Sequence, residues 1–204
     1  YRLMDRNEVT RAVRTATLEP GAYEHLRVEP RTADFDRLLH EGLAVDSSFR
    51  ASLATNHGQE DLLFRVGQEV ELLIRLNQPG YYYLTGHTLR DGKSYSYLVP
   101  LQDARGARRF VRYMNAEQTN KWVSLGAFEV TPPFGVESMQ VIASTRDLAG
   151  SLPGYEYNRS SGLYLVAGDA AEGVSKTRAL KPKSDGEVHT AESVLTFTTA
   201  RAMD

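Results

Sequence analysis

Tyrosine is the residue type in this chain best placed to do more than pack. Tyr81, Tyr82 and Tyr83 form one run, Tyr95 and Tyr97 stand two residues apart, and Tyr155 and Tyr157 repeat that spacing in a segment rich in Gly, Pro and Ser. Side chains on a strand alternate between faces, so at least one ring of the set from Tyr81 to Tyr97 must turn away from the core. A ring so placed can stack on a sugar or anchor a protein partner, being flat and rigid with a polar tip. Tyr81, Tyr83, Tyr95, Tyr97, Tyr155 and Tyr157 are therefore the candidate ligand- or partner-binding residues. The competing account is that tyrosine is a strong strand former and that most of these rings pack the core or its rim.

Other chemistries find little footing. There is no Gly-x-Ser-x-Gly nucleophile elbow, no phosphate-cradling loop of full Gly-x-x-x-x-Gly-Lys-Ser or Gly-x-x-x-x-Gly-Lys-Thr spacing, and no pair of histidines flanking a glutamate on one helix face. The chain has no cysteine, which removes disulfides, thiolate nucleophiles and cysteine-rich zinc sites together. His25, His40, His57, His87 and His189 are scattered without ligand spacing, so each is expected to be a surface or internally satisfied residue, and no metal or cofactor is expected. Two carboxylates that meet in space remain open as a glycosidase pair, since such pairs need not be near in sequence. No pair stands out: Glu69 and Glu71 share a strand face that should meet solvent, and Glu137, after a turn, is expected to be structural. No catalytic residue is assigned.

The tyrosines depend on the strands that carry them, and these centre on residues 62–100. Val70, Leu72, Ile74 and Leu76 alternate with Glu69, Glu71, Arg75 and Asn77, the pattern of a half-buried strand in which only Leu73 breaks the polar face. Pro79-Gly80 ends that strand, Tyr81 to Leu84 begin another, Asp91-Gly92 marks a tight hairpin turn, and Ser94 to Val99 alternate again before Pro100. An antiparallel meander is the simplest reading of this stretch. Phe49 to Thr55, Arg108 to Met114, Trp122 to Thr131, Met139 to Ala143, Leu163 to Val166 and Val194 to Thr199 supply further strands. Arg105, Arg108, Arg109 and Arg112 alternate with apolar residues there, as in an edge strand kept soluble by charge.

Helices are few. Val9, Ala12, Val13 and Ala16 fall at helical spacing behind a possible Asp5/Glu8 capping box, Thr32 to Glu41 carry a short apolar stripe, and Asp169 with Glu172 repeats the capping-box spacing for a helix through Leu180. Residues 147–162 read as a surface loop that carries Tyr155 and Tyr157. The fold expected is mainly β, an antiparallel β-sandwich of immunoglobulin-like size over residues 47–204 with a few short peripheral helices. Residues 1–46 read as a helical extension or the remnant of a preceding domain.

The order Phe64-x-Val66-Gly67, Gly80-Tyr81, Asp91-Gly92, Leu98-Val99-Pro100, then Pro132-Pro133-Phe134-Gly135-Val136-Glu137 and Val141-Ile142-Ala143-Ser144, resembles the bacterial domain of unknown function 4384. The likeness runs from about Phe49 to Thr145, and the tail, Lys176-Thr177-Arg178 with Glu192 to Thr199, is similar to the way such domains close. It implies a β-sandwich module of bacterial envelope and multidomain proteins, with no settled activity and no catalytic residue to carry over.

Composition narrows the partners. The 204 residues are 41% hydrophobic and 25% charged with a net charge of −2, an ordinary globular balance that disfavours broad binding to a phosphate backbone, so no nucleic-acid partner is expected. No run approaches the roughly 20 apolar residues of a membrane-spanning helix. The chain starts at Tyr1 rather than Met, so its natural start is expected upstream. The expectation is a non-catalytic binding or interaction module with a protein or glycan partner, located, on the resemblance alone, in the periplasm, on the envelope or outside the cell. The alternative is a hydrolase of cell-wall or polysaccharide material. The oligomeric state is not legible.

Overall fold

The computed structural model describes residues 2–4, 10–13, 39, 48–90, 93–102, 108–132, 134–179 and 188–202, and most of them are strand. In chain order these are β1 (Arg2–Met4), β2 (Thr10–Val13), β3 (Ala51–Thr55), β4 (Leu63–Arg65), β5 (Glu69–Leu76), β6 (Gly80–Arg90), β7 (Lys93–Leu98), β8 (Leu101–Gln102), β9 (Arg108–Arg109), β10 (Arg112–Met114), β11 (Val123–Glu129) and β12 (Val136–Ser144). A 3-10 turn at Ala149–Ser151 leads to β13 (Glu156–Asn158), β14 (Leu163–Ala167), the helix α1 (Ala170–Ala179) and β15 (Thr190–Ala200).

Among the described residues eleven of these strands form a β-sandwich, and β1-β2 and β8-β9 make two separate two-stranded sheets. A three-stranded antiparallel sheet, β11-β5-β3, faces an eight-stranded one that runs β13-β14-β7-β6-β12-β15-β4 with β10 also paired to β6. The alternation of β5 supplies the smaller sheet's inner face, for Val70, Leu72, Ile74 and Leu76 are 3, 2, 0 and 0% exposed. They pack in one cluster with Tyr82, Leu84, Met139, Val141, Leu195 and Phe197 from the larger sheet. Removing this much apolar surface from water is the main favourable term in holding the two layers together.

The larger sheet is covered on its outer side as well. Every residue of β12 after Val136 is buried, including Glu137, Ser138, Gln140 and Ser144. Outward-facing Tyr83 and Ile142 join Leu98, Leu148 and Val166 in a second cluster, while Ala170 and Val174 of α1 pack with Leu39 in a third. Two glycines permit close approaches that a side chain would block. A Cβ on Gly86 would lie 2.3 Å from Cζ of Tyr97, whose ring covers the bare strand. One on Gly173 would lie 1.9 Å from Oγ and 2.2 Å from Cβ of Ser96, so α1 can sit on β7 only with glycine there.

Gly173→Ala is accordingly expected to destabilise the protein by about 1–3 kcal/mol, because overpacking outweighs the gain of up to about 1 kcal/mol in helix propensity. Chemical denaturation checks this. An alanine variant as stable as the wild type would mean that α1 does not seat on Ser96.

Arg90 pairs with Lys93, leaving a two-residue connection at Asp91-Gly92, which lie outside the described residues. Asp169 caps α1, its Oδ1 accepting from the Glu172 amide at 2.9 Å, and the Glu172 side chain pairs instead with Lys176 at 2.9 Å. The expected strand from Arg108 to Met114 is divided: Arg108 and Arg109 form β9, paired with β8, Arg112 opens β10, paired with β6, and Arg105 lies outside the described residues.

Three expectations are corrected. β5 and β6 do not form a meander: they belong to different sheets, and Pro79-Gly80 is a corner at which a Cβ on Gly80 would meet Cζ of Phe49 at 2.8 Å and the Ser144 carbonyl at 2.9 Å. Thr10–Val13 is not helical but an antiparallel strand paired with β1, consistent with the β-branched Thr10 and Val13 at its ends. The stretch taken as a loop contains β13, which pairs with β14 from Glu156 to Asn158. Of the expected helix over Thr32 to Glu41, Leu39 alone is described, and it is helical and buried.

Candidate functional site

Pairing register decides which tyrosines share a surface. Residues directly opposite in antiparallel strands project to the same face, so Tyr81 and Tyr113, paired across β6 and β10, stand together, as do Tyr157 and Tyr164 across β13 and β14. Tyr164 pairs in turn with Leu98, an outer-face residue of the second cluster. Tyr81, Phe110 and Tyr164 all pack, half-buried, against that cluster and form an aromatic bed. On it lie the exposed rings: Tyr113 is 4.8 Å from Tyr81 between centroids, Tyr155 is 4.8 Å from Phe110 and 5.8 Å from Tyr164, and Tyr157 is 4.9 Å from Tyr164. Tyr113, Tyr155 and Tyr157 are 52, 46 and 51% exposed.

The six candidate tyrosines are thereby divided. Tyr155 and Tyr157 lie on the exposed outer surface and Tyr81 supports it. Tyr83 does not take part: it is 1% exposed within the second cluster, and burial, then the negative charge of Glu192, pushes its phenol well above the ordinary range. Tyr95 and Tyr97 project to the opposite, inner face, where Tyr97 covers Gly86 and Tyr95 borders an open cleft of about 560 Å³. Phe110, Tyr113 and Tyr164 were missed in the sequence. Phe110 sits in the run read for its arginines, and Tyr164 becomes visible as a partner for Tyr157 only once β13 and β14 are paired.

A buried polar chain crosses the same outer face beneath α1. Glu192 pairs with Arg178 at 2.9 Å and, as a carboxylate that only accepts, obliges Gln140 to present its Nε2 at 3.1 Å. Gln140 Oε1 then faces His87 Nε2 at 2.9 Å, so that nitrogen carries the proton, and the bare Nδ1 of the neutral ring accepts from Ser96 Oγ at 2.7 Å. Desolvation, the largest effect, together with the Arg178 charge, brings His87 down to about 4 against the opposing hydrogen bond with Gln140. Ser96, His87 and Gln140 have the order of nucleophile, base and orienting group. Ser96 and His87 are 0 and 1% exposed, so substrate has no access and the arrangement ties sheet to helix.

Glu137, expected to be structural, is buried and accepts from Thr88 Oγ1. Among the described residues no three His, Asp or Glu side chains converge as metal ligands would, and no helix is long and apolar enough to cross a membrane. No protein-family model, curated protein or solved structure matches the chain.

Proposed function

We propose that the protein is a non-catalytic binding or interaction module that holds a protein or glycan partner on its outer aromatic surface. The observation that carries this reading is the set of three half-exposed rings, Tyr113, Tyr155 and Tyr157, on a bed of ordered aromatics. Rings held by neighbours lose little freedom on binding, so their contact area is gained at low entropic cost. The resemblance to a bacterial envelope domain supports a location in the periplasm, on the envelope or outside the cell. The hydrolase alternative finds less support: Asp169 is the one carboxylate lining the described cleft, and glycoside hydrolysis ordinarily takes two.

The double variant Tyr155→Ala, Tyr157→Ala is expected to lose partner capture while staying folded. Its ring contacts are with Phe110 and Tyr164, and such pairs contribute roughly 0.5–1.5 kcal/mol each beyond area burial, so a modest fall in stability accompanies the loss. Retention on isolated cell-wall sacculi and on immobilised envelope-protein extract, wild type against variant, checks it. Equal retention of a folded variant on both would remove the aromatic surface from the function.

A further inference from the structure

The cleft that Tyr95 borders lies where the start of β7 meets the ends of β13 and β14, with Tyr95 and Leu165 on its inner side and Ser94 and Asp169, at the N-terminus of α1, on its outer side. Leu165 pairs with Tyr97 and so projects inward with Tyr95, giving the cleft an apolar floor and an aromatic wall. Polar groups stand at both ends of β14. At one end Ser94 and Asp169 are locked together: Ser94 Oγ donates to Asp169 Oδ2 at 2.8 Å and accepts from the Ala170 amide at 3.0 Å. At the other, Asn158 Oδ1 accepts from the Ser160 amide at 3.0 Å, Ser160 Oγ at 2.6 Å and the Ser161 amide at 3.1 Å.

These bonds settle what each end offers a ligand. The Glu172 amide, first, and the Ser94 hydroxyl hold Asp169 below the usual carboxylate range, so it is an ionised acceptor with lone pairs to spare. Asn158 has its oxygen taken up by its own turn, which orients the amide and leaves Nδ2 as the donating group. One fixed acceptor, one fixed donor, an aromatic ring and a flat aliphatic floor, within about 560 Å³, match a ligand that carries hydroxyls around its edge and C–H groups on its faces. The negative charge of Asp169 disfavours phosphates, nucleotides and acidic sugars.

We propose that this cleft binds a neutral saccharide unit, with Tyr95 and Leu165 against its apolar face, Asp169 accepting from its hydroxyls and Asn158 Nδ2 donating to them. None of the exposed rings Tyr113, Tyr155 and Tyr157 lines this cleft. Two substitutions separate ligand contacts from folding, because Asp169→Asn keeps a good helix cap and Asn158→Asp keeps the acceptor its turn needs.

The test titrates the protein, observed by amide chemical shifts, with three neutral probes: cellotriose, maltotriose and triacetylchitotriose, each up to about 10 mM, the weak-binding range. At least one is expected to give saturable shifts at Tyr95, Leu165 and Gly168. Asp169→Asn, Asn158→Asp and Tyr95→Ala are each expected to weaken that binding roughly tenfold or more, the usual size for a lost charge-assisted hydrogen bond or stacking ring. The Tyr155→Ala, Tyr157→Ala variant should leave it unchanged. Absence of saturable binding by all three probes overturns the proposal and leaves the aromatic surface untouched. So does binding abolished by the Tyr155, Tyr157 variant but indifferent to Asp169→Asn, which would assign saccharide recognition to the outer surface.

Discussion

Ile74→Ala is expected to cost about 2–5 kcal/mol, the range for deleting a large aliphatic side chain from a packed core. Ile74 is 0% exposed and sits in the middle of β5, paired with Leu53 on one side and Val123 on the other. Its loss opens a cavity between the sheets that the paired strands prevent from collapsing. Leu73, its neighbour, points to the other face and is half-buried, so Leu73→Ala should cost much less. Urea denaturation of both variants measures the difference, with unchanged slopes confirming that only stability has moved. Equal losses would mean that the register of β5 is wrong.

A second large effect is expected in mild acid. His87 is held neutral inside the fold at about 4, against 6.5 in the open chain, so between these values the unfolded state binds the extra proton. Stability therefore rises with pH through this window: the contribution is complete above about pH 6.5, falls as pH drops, and is exhausted near pH 4. The full span corresponds to about 3 kcal/mol. Carboxylates also titrate here, and His87→Gln serves as the reference because it leaves them in place. Wild type should lose more stability than His87→Gln between about pH 7 and about pH 4.5. The same loss in both proteins would show that His87 is not the group responsible.

How much of this was legible in the sequence depends on the range of the physics involved. The alternation in β5, the pairing of Arg90 with Lys93 on either side of Asp91-Gly92 and the Asp169 cap are local, set by the period of a strand or the geometry of a turn, and all three appear in the structure. Strand partnership is not local. Pro79-Gly80 signals an interruption equally well whether the chain folds back beside β5 or crosses to the other sheet, and Phe49 and Ser144, which decide it, are distant in sequence. The same limit applies to β12, whose Ser138, Gln140 and Ser144 look like a solvated face until other elements cover them. For the candidate surface, Tyr155 and Tyr157 could be picked out as tyrosines in an irregular stretch. Tyr83 could not be told from Tyr81, since both project to the outer face and only the covering cluster distinguishes them.

The position of β15 also sets a timetable. This strand, Thr190–Ala200, lies between β12 and β4, pairing antiparallel along all nine residues of the first and parallel with the second. On a ribosome adding 5–20 residues per second, β4 is complete on the order of ten seconds before its partner exists. For the last part of that interval, on the order of a few seconds after Ser144 is made, β12 presents an unpaired edge of backbone donors and acceptors, open to any other strand that reaches it. The nascent chain is thus most prone to wrong pairing just before β15 is made, and that strand both fills the open edge and gives β4 its place.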